Sequence, residues 1–379
     1  MKVYLDNAAT TPLDPLVFEV MKPLMTDFFG NPSSIHGHGR EVRSYVERAR
    51  SKVASLLKTS PSEIFFTSGG TEADNTAIFG CVETLGVDHI ITSKIEHHAV
   101  LHTVELLAKL KAIKVSFVAL DKNGCIDLDN LETLLKLPAN KTLVTLMHGN
   151  NEIGNLIDLQ QIGKMAHSYG ALFHTDTVQT MGHLPHDLSN LPVDFLVGSA
   201  HKFNGPKGIG FLYVNYRNKI DPFIHGGAQE RNMRGGTENV YGIVGLAKAL
   251  EIAYTEMDQQ TQYIKGIKKY MINKLKNKIA DVQFNGKCAE IENSLYTVLN
   301  VCLPPTPHNE MLLFNLDIAG ISASGGSACS SGSNIGSHVL AVLDRDSNRP
   351  AIRFSFCKYN TIEEVDYTVA KLHELIVLN

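Results

Sequence analysis

Polar side chains in the middle of the chain stand where apolar runs end, a place well suited to catalytic groups. Lys202 follows "DFLVGSA", Asp176 ends "ALFHTD", and Gly70 and Thr71 follow "EIFFTS". A lysine partly removed from water deprotonates more easily, which suits imine chemistry. A buried carboxylate needs a partner such as a protonated ring nitrogen, and a glycine turn that begins a helix can bind a phosphate. Taken singly, each feature also fits a structural role: a surface lysine, a helix N-cap and a βα turn.

Together, these features match the requirements of one cofactor. A phosphate site, a carboxylate for a ring nitrogen and an imine-forming lysine on successive strand ends are what pyridoxal 5'-phosphate needs. His97, in "SKIEHHAV", is placed to stack on the pyridine face. A metal site made of His97, His98 and His102 is the alternative, but no carboxylate or thiol ligand clusters with them.

Alternating strand-like and helix-like segments indicate how these residues are positioned. Residues 40–57 have apolar side chains at helical spacing and predict an amphipathic helix, and Thr361 and Glu364 have the spacing of a capping box. Near-continuous apolar runs predict strands covered on both faces, and their alternation with helices predicts a largely parallel α/β sheet. The predicted strands are 63–68, 89–93, 114–120, 142–148, 171–176, 194–200 and 208–214.

The pattern of alternating strands and helices ends at about residue 255, and this change predicts two domains. We expect residues 15–255 to form a large cofactor-binding domain. Residues 1–14 and 256–379, with a Lys-rich helix at 264–278, are expected to form a smaller α+β domain. The Ser/Gly-rich stretch at about 322–336 is expected to be a mobile loop of that domain.

Composition restricts the class of protein. Of the 379 residues, 44% are hydrophobic, and 35 basic side chains face 39 acidic ones. No long basic run predicts a nucleic-acid partner, and no apolar stretch is long enough to span a membrane. The six cysteines contain no CxxC pair, which argues against a zinc or iron–sulfur framework, and a disulfide scaffold is not expected in a chain of this length. Asp6 and Asn7 come too early for a signal peptide, so we expect a cytoplasmic protein with reduced thiols.

A set of collinear motifs resembles one family. The sequence is similar to the cysteine desulfurases of the NifS/IscS type, within the class V aminotransferase group. Each motif alone has low specificity, whereas the ordered set spans nearly the whole chain. The motifs are "YLDNAATTP" (4–12), "GNPSSIHGHGR" (30–40), "FTSGGTEADN" (66–75), "ITSKIEHHAV" (91–100), "MHGNNEIG" (147–154), "FHTDTVQ" (173–179), "GSAHKFNGPKGIG" (198–210), "RGGTENV" (234–240), "SGGSACSSG" (324–332) and "IRFSF" (352–356).

The resemblance implies an α/β fold of type I, shared with aspartate aminotransferase, and a homodimer. It implies that Lys202 carries the cofactor, Asp176 meets the pyridine nitrogen, Gln179 bonds the ring hydroxyl and His97 stacks on the ring. Asn151 is implied beside the cofactor and the substrate, and Arg353 as the group that holds the substrate carboxylate. The implied phosphate ligands are Gly70, Thr71, Ser199 and His201, with Thr237 supplied by the other subunit.

Cys329 favours desulfuration over transamination, because transamination needs no thiol. In the reaction that the resemblance implies, L-cysteine becomes L-alanine, and its sulfur passes to Cys329 as a persulfide and then to an acceptor protein. That acceptor is expected to be an iron–sulfur scaffold or a thiolation enzyme, and Cys329 could contact a nascent iron–sulfur cluster. No other metal site is expected. A spectator thiol at Cys329 is the structural alternative.

Other functions remain open at this point. Another class V enzyme, either a small-molecule aminotransferase or a selenocysteine lyase, would keep the cofactor residues and ignore Cys329. A degenerate homologue that acts only as a binding subunit is a third alternative. The intact set of Lys202, Asp176, His97 and Cys329 argues against the third.

Overall fold

A seven-stranded sheet forms the centre of the fold. The computed structural model describes residues 1–305, 309–325, 336–343, 346 and 348–377. The strand order is β2-β8-β7-β6-β5-β3-β4, and all strands are parallel except β8, which is antiparallel to both neighbours. The strands are β2 (Ile64–Thr67), β3 (His89–Thr92), β4 (Lys114–Phe117), β5 (Thr142–Thr145), β6 (Leu172–Asp176), β7 (Phe195–Ser199) and β8 (Gly210–Val214). The prediction of a largely parallel α/β sheet is confirmed.

The apolar runs form strands because helices cover both faces of the sheet. Every residue of β3, β5, β6, β7 and β8 is buried. The two edge strands are less covered: Phe65 in β2 is partly exposed, and both ends of β4 are exposed. Parallel strands of this kind need cover on both sides.

Eleven helices are present in the described part of the chain. They are α1 (Pro15–Thr26), α2 (Gly37–Leu56), α3 (Gly70–Glu83), α4 (His98–Lys111), α5 (Leu128–Leu135), α6 (Leu159–Ser168), α7 (Val240–Thr255), α8 (Met257–Lys278), α9 (Leu312–Ile318), α10 (His338–Ala341) and α11 (Ile362–Val377). The capping box that precedes α11 is confirmed: the Glu364 carboxylate accepts from the Thr361 N–H, and the Thr361 hydroxyl accepts from the Glu364 N–H. Among the described helices, none combines the length and the apolar character that crossing a membrane requires.

A second hydrophobic core lies outside the large sheet. It packs α8 and α11 against a three-stranded antiparallel sheet of order β12-β10-β9 and a parallel pair β1-β11. These strands are β1 (Val3–Tyr4), β9 (Gln283–Phe284), β10 (Val298–Cys302), β11 (Ile321–Ser322) and β12 (Ala351–Ser355). We propose that this core and the core around the large sheet correspond to the two domains, residues 1–14 with 256–379 and residues 15–255.

A buried ion pair holds the segment that contains Thr237. The Arg50 guanidinium donates to both carboxylate oxygens of Glu230, over 2.7 and 2.8 Å, and both side chains are almost fully buried. The same carboxylate accepts from the Phe66 N–H over 2.8 Å. Residues 230–232 all have positive φ angles, of 45°, 56° and 67°. Non-glycine residues rarely adopt this conformation, so the ion pair stabilises a strained turn.

Removing the acceptor of this pair should destabilise the protein strongly. Glu230→Ala leaves the Arg50 charge buried without its carboxylate, and we expect the free energy of unfolding to fall by about 3–5 kcal/mol. Glu47→Ala is the matched control, because Glu47 also pairs with Arg50 but is half exposed; it should cost about 1 kcal/mol or less. Urea denaturation at one fixed protein concentration measures both. Equal losses in the two variants would contradict this account of the turn.

Candidate active site

A cavity of about 220 Å³ lies at the carboxyl ends of the parallel strands. This is where open α/β sheets bind ligands. The cavity brings together most of the residues that the sequence singled out. From that set it is lined by Gly70, Thr71, His97, Asn151, Asp176, Gln179, Ser199, His201, Lys202 and Arg353.

One wall of the cavity is suited to an anion. Gly70 and Thr71 begin α3, directly after β2, so backbone N–H groups and the positive end of the helix dipole face this wall. A Cβ atom at Gly70 would come within 2.7 Å of the Val178 side chain, so glycine allows the close approach of the backbone. Ser199 ends β7, and His201 lies in the 3₁₀ turn that follows it.

Lys202 lies in the same 3₁₀ turn, and its amine points at the N-terminal segment. The Nζ atom donates to the carbonyl oxygens of Ala8 and Ala9, over 2.6 and 2.9 Å. The Gln179 side-chain amide donates to the same Ala8 oxygen over 2.9 Å. The two carbonyls therefore orient the amine within the cavity.

Asp176 is the last residue of β6, and its side chain is 5% exposed. One carboxylate oxygen accepts from the Val178 N–H over 2.8 Å. Burial raises the pKa of Asp176 to about 6, while that hydrogen bond and the charge of Lys202 act in the opposite direction. The carboxyl group is thus poised to ionise when a cationic partner arrives.

The two histidines of the cavity are held neutral. His97 is the N-cap of α4, and its Nδ1 atom accepts from the Ala99 N–H over 3.1 Å. Burial, helped by the charge of Lys202, lowers the pKa of His97 to about 4, and the same two causes lower the pKa of His201 to about 4. Neutral rings at these positions can stack or accept hydrogen bonds without adding charge.

Arg353 enters the cavity from β12, in the second core. It is 1% exposed, donates to an Asp6 carboxylate oxygen over 2.8 Å and to the Asn151 carbonyl over 3.0 Å. Among the described residues, its Nε–H has no hydrogen-bond partner. A buried donor without a partner is costly, and an incoming carboxylate would satisfy it.

Of the predicted residues that the structure describes, Thr237 does not line this cavity. Thr237 lies in a separate cavity of about 200 Å³ that is also lined by Ser68 and Arg234. Cys329 lies outside the described residues, as does most of the predicted loop at 322–336. Within the parts of the chain that the structure describes, no cluster of three or more His, Cys, Asp or Glu side chains could hold a metal ion.

Sequence reasoning missed two carboxyl groups of the site. Asp6 pairs with Arg353, and Asp74 lines the cavity one helical turn after Gly70. Both lie inside motifs that were recognised. The available signal was the spacing of Asp74 from Gly70, which places the two on one face of the helix.

The donor set fits pyridoxal phosphate. An amine at Lys202, a carboxyl group at Asp176 and a glycine-led helix terminus line one cavity. These three groups correspond to the aldehyde, the ring nitrogen and the phosphate of the cofactor.

Comparisons with known proteins agree with this geometry. Residues 3–368 match the family Aminotransferase class-V. The chain is 44% identical to the cysteine desulfurase IscS of Dictyoglomus turgidum, over 99% of this chain and 94% of the relative. A solved structure of a NifS-like protein has a TM-score of 0.91 and 39% identity, with 99% of both chains covered. A solved structure of SspA in complex with cysteine has a TM-score of 0.81 and 34% identity, over 95% of this chain and 100% of that one.

The pKa of Asp176 predicts a pH-dependent effect on stability. A folded-state pKa of about 6, above the ordinary 3.8, gives stability that is present at low pH and is lost as the pH rises through 6. In protein freed of bound small molecules, Asp176→Asn should therefore gain stability relative to the wild type between about pH 4 and pH 7, by about 2–3 kcal/mol. Denaturant titrations at several pH values measure this difference.

The matched control is Asp187→Asn. Hydrogen bonds from Lys58 and Ser189 lower the pKa of the partly exposed Asp187 to about 2. The contribution of Asp187 to the free energy of unfolding should therefore not change between about pH 4 and pH 7. An equally flat difference for Asp176→Asn would show that burial does not perturb this carboxyl group.

Proposed function

The chain belongs to the class V aminotransferases and, within them, to the cysteine desulfurases of the NifS/IscS type, and from this premise we propose how its residues act. The protein is a pyridoxal-phosphate-dependent enzyme that removes sulfur from L-cysteine. The observation that carries the proposed roles is the single cavity shared by Lys202, Asp176, His97 and Arg353.

The strand ends hold the cofactor. Lys202 would bind it covalently through Nζ, Asp176 would keep the ring nitrogen protonated, Gln179 would bond the ring hydroxyl and His97 would stack on the ring. The start of α3 would bind the phosphate, with Gly70, Thr71, Ser199 and His201, which line the cavity, as ligands. When bound, the cofactor serves as an electron sink that makes the Cα proton of an amino acid acidic. The Lys202 amine, released from the carbonyls of Ala8 and Ala9, is the base that takes this proton.

Arg353 binds the substrate carboxylate. Asp6 and the Asn151 carbonyl fix the plane of its guanidinium, and the unpartnered Nε–H is left for the ligand. The Asn151 side chain lies beside the same position. This arrangement selects an α-amino acid over a simple amine, because only the amino acid has a carboxylate to place there.

Cys329 takes the sulfur as a persulfide, and L-alanine leaves. The described residues on both sides of the segment that contains Cys329 support this role. Ser324 exchanges two backbone hydrogen bonds with Arg353, and the Ser337 hydroxyl donates to the buried Glu152. Both attachment points adjoin the cavity, since Glu152 follows Asn151 along the chain.

The enzyme acts as a homodimer in the cytoplasm. Thr237 lies in a different cavity from Lys202 within one chain, so its role as a phosphate ligand requires a second subunit. The sulfur then passes to an acceptor protein, either an iron–sulfur scaffold or a thiolation enzyme.

Lys202 should carry the cofactor label. Reduction of the purified yellow protein with borohydride, followed by peptide mapping, should leave the pyridoxyl group on Lys202, because its amine is the one in the cavity. Lys207, which is exposed, is the internal control and should stay unlabelled. A label on Lys207, or none, would refute the assignment.

Arg353→Ala should reduce kcat/KM for L-cysteine, because a buried charged hydrogen bond is lost. The expected decrease corresponds to about 2–4 kcal/mol of transition-state stabilisation. Turnover of cysteamine, which has no carboxylate, should change little. Arg349→Ala is the matched control: Arg349 is 7% exposed and pairs with Asp281, away from the cavity. It should affect stability without distinguishing the two compounds. Equal losses for both compounds in Arg353→Ala would assign Arg353 to the fold alone.

Cys329→Ala should retain the cofactor and bind L-cysteine but release no alanine, because the nucleophile that cleaves the C–S bond is missing. In the wild type, one turnover without reductant should add the mass of one sulfur atom to the peptide that contains Cys329, with an equal amount of alanine. Cys125→Ala, which removes a partly exposed thiol, should behave as the wild type. Alanine formation at the wild-type rate by Cys329→Ala would favour an aminotransferase or a lyase that does not use this thiol.

A further inference from the structure

A second carboxyl group, Asp74, lines the cavity together with Asp176. Asp74 lies in α3, one turn after Gly70, and is 1% exposed. The proposed function gives it no role. Two carboxyl groups buried in one site cannot both be charged without a large energetic cost, so their protons must be divided between them in a defined way.

The surroundings of Asp74 offer one acceptor for a proton. His174 Nε2 lies 3.3 Å from Asp74 Oδ1, and neither atom makes a hydrogen bond to any residue that the structure describes. The other ring nitrogen, Nδ1, lies 2.8 Å from the Thr145 hydroxyl. His174 and Thr145 are paired across β6 and β5, and His174 lies on the same face of β6 as Asp176.

The charges around Asp74 favour its neutral form. Burial, followed by the neighbouring Asp176 and Glu96, raises the pKa of Asp74 well above its usual range. Burial also lowers the pKa of His174 to about 3, so the imidazole is neutral and one of its nitrogens is an acceptor. Lys202 acts on Asp176 and favours its ionised form.

We propose that Asp74 is a positioning residue of the cofactor site that acts as a neutral acid. Its O–H donates to His174 Nε2, which places the imidazole proton on Nδ1, where it donates to the Thr145 hydroxyl. Asp176 is then the only negatively charged carboxylate of the pair, and its charge is directed at the ring nitrogen. This inference rests on the proposed role of Asp176, and it adds a residue that controls which of the two carboxyl groups is charged.

The tautomer of His174 tests the proposal without any change at Asp74. In holoenzyme labelled with ¹⁵N-histidine, the His174 signals, assigned by their loss in His174→Gln, should show the proton on Nδ1 and a bare Nε2 between about pH 6 and pH 8. A proton on Nε2, which an ionised Asp74 would accept, would overturn the proposal. If Asp74 only filled space, the tautomer of His174 would not depend on which residue stands at position 74.

Two variants then separate a neutral acid from a carboxylate. Asp74→Asn keeps a neutral donor, so the affinity of the apoprotein for pyridoxal phosphate should stay within about 3-fold of the wild type. Asp74→Leu leaves His174 Nε2 without a donor, and the affinity should fall about 5- to 100-fold, as for an unsatisfied buried group. The pH dependence of the visible absorbance of the holoenzyme should shift in Asp74→Leu and not in Asp74→Asn.

Asp176→Asn distinguishes a failure of this inference from a failure of the proposed function. If Asp74→Asn weakens cofactor binding as much as Asp176→Asn does, Asp74 acts as an anion and the inference is wrong, while the role of Asp176 stands. If Asp74→Leu leaves affinity and absorbance unchanged, the inference is wrong as well. If Asp176→Asn binds the cofactor as the wild type does, the assignment of the ring-nitrogen partner fails, and the inference fails with it.

Discussion

The charge balance at the carboxyl end of β6 is the constraint on which the rest of the site depends. Asp176 ends a strand that is buried along its whole length, and a lone carboxylate there would be costly. Lys202 supplies the opposing charge that limits this cost, while His97 and His201, which burial holds neutral, add no further charge. In an interior with a low dielectric constant these interactions are strong. A cationic ring placed against Asp176 would therefore be held firmly and kept protonated.

The N-terminal segment joins this charged site to the second core. The carbonyls of Ala8 and Ala9 accept from Lys202, and the Asp6 carboxylate accepts from Arg353. The Asn7 side chain donates to the Ser355 carbonyl over 2.8 Å. A few consecutive residues thus contact the lysine on one side and the arginine on the other. This explains how Arg353, which belongs to a sheet of the second core, reaches a cavity built by the large sheet.

Local patterns in the sequence predicted the strands and their ends, but not the pairings between distant elements. All seven predicted strands are present, because apolar runs covered on both faces leave a clear signal. No comparable sequence signal indicates that β8 runs antiparallel to its two neighbours. The Lys-rich helix begins at Met257 and not at residue 264. The sequence pattern missed the first two turns because they contain few apolar residues. Lys202, Asp176 and Arg353 lie in the predicted site, whereas the Arg353–Asp6 contact joins residues 347 positions apart and no spacing rule could reveal it.

Desulfuration places two opposed demands on the chain. The described contacts meet the first demand and restrict how the second can be met. The cofactor groups must be fixed, and they stand on buried strand ends and helix starts. In the reaction that we propose, the Cys329 thiol must reach the substrate and then an acceptor outside the cavity. Ser324 is tied to the Arg353 backbone, and Cys329 follows five residues later. Arg353, which we propose binds the substrate carboxylate, is therefore also the residue to which the chain is tied beside the segment that contains Cys329.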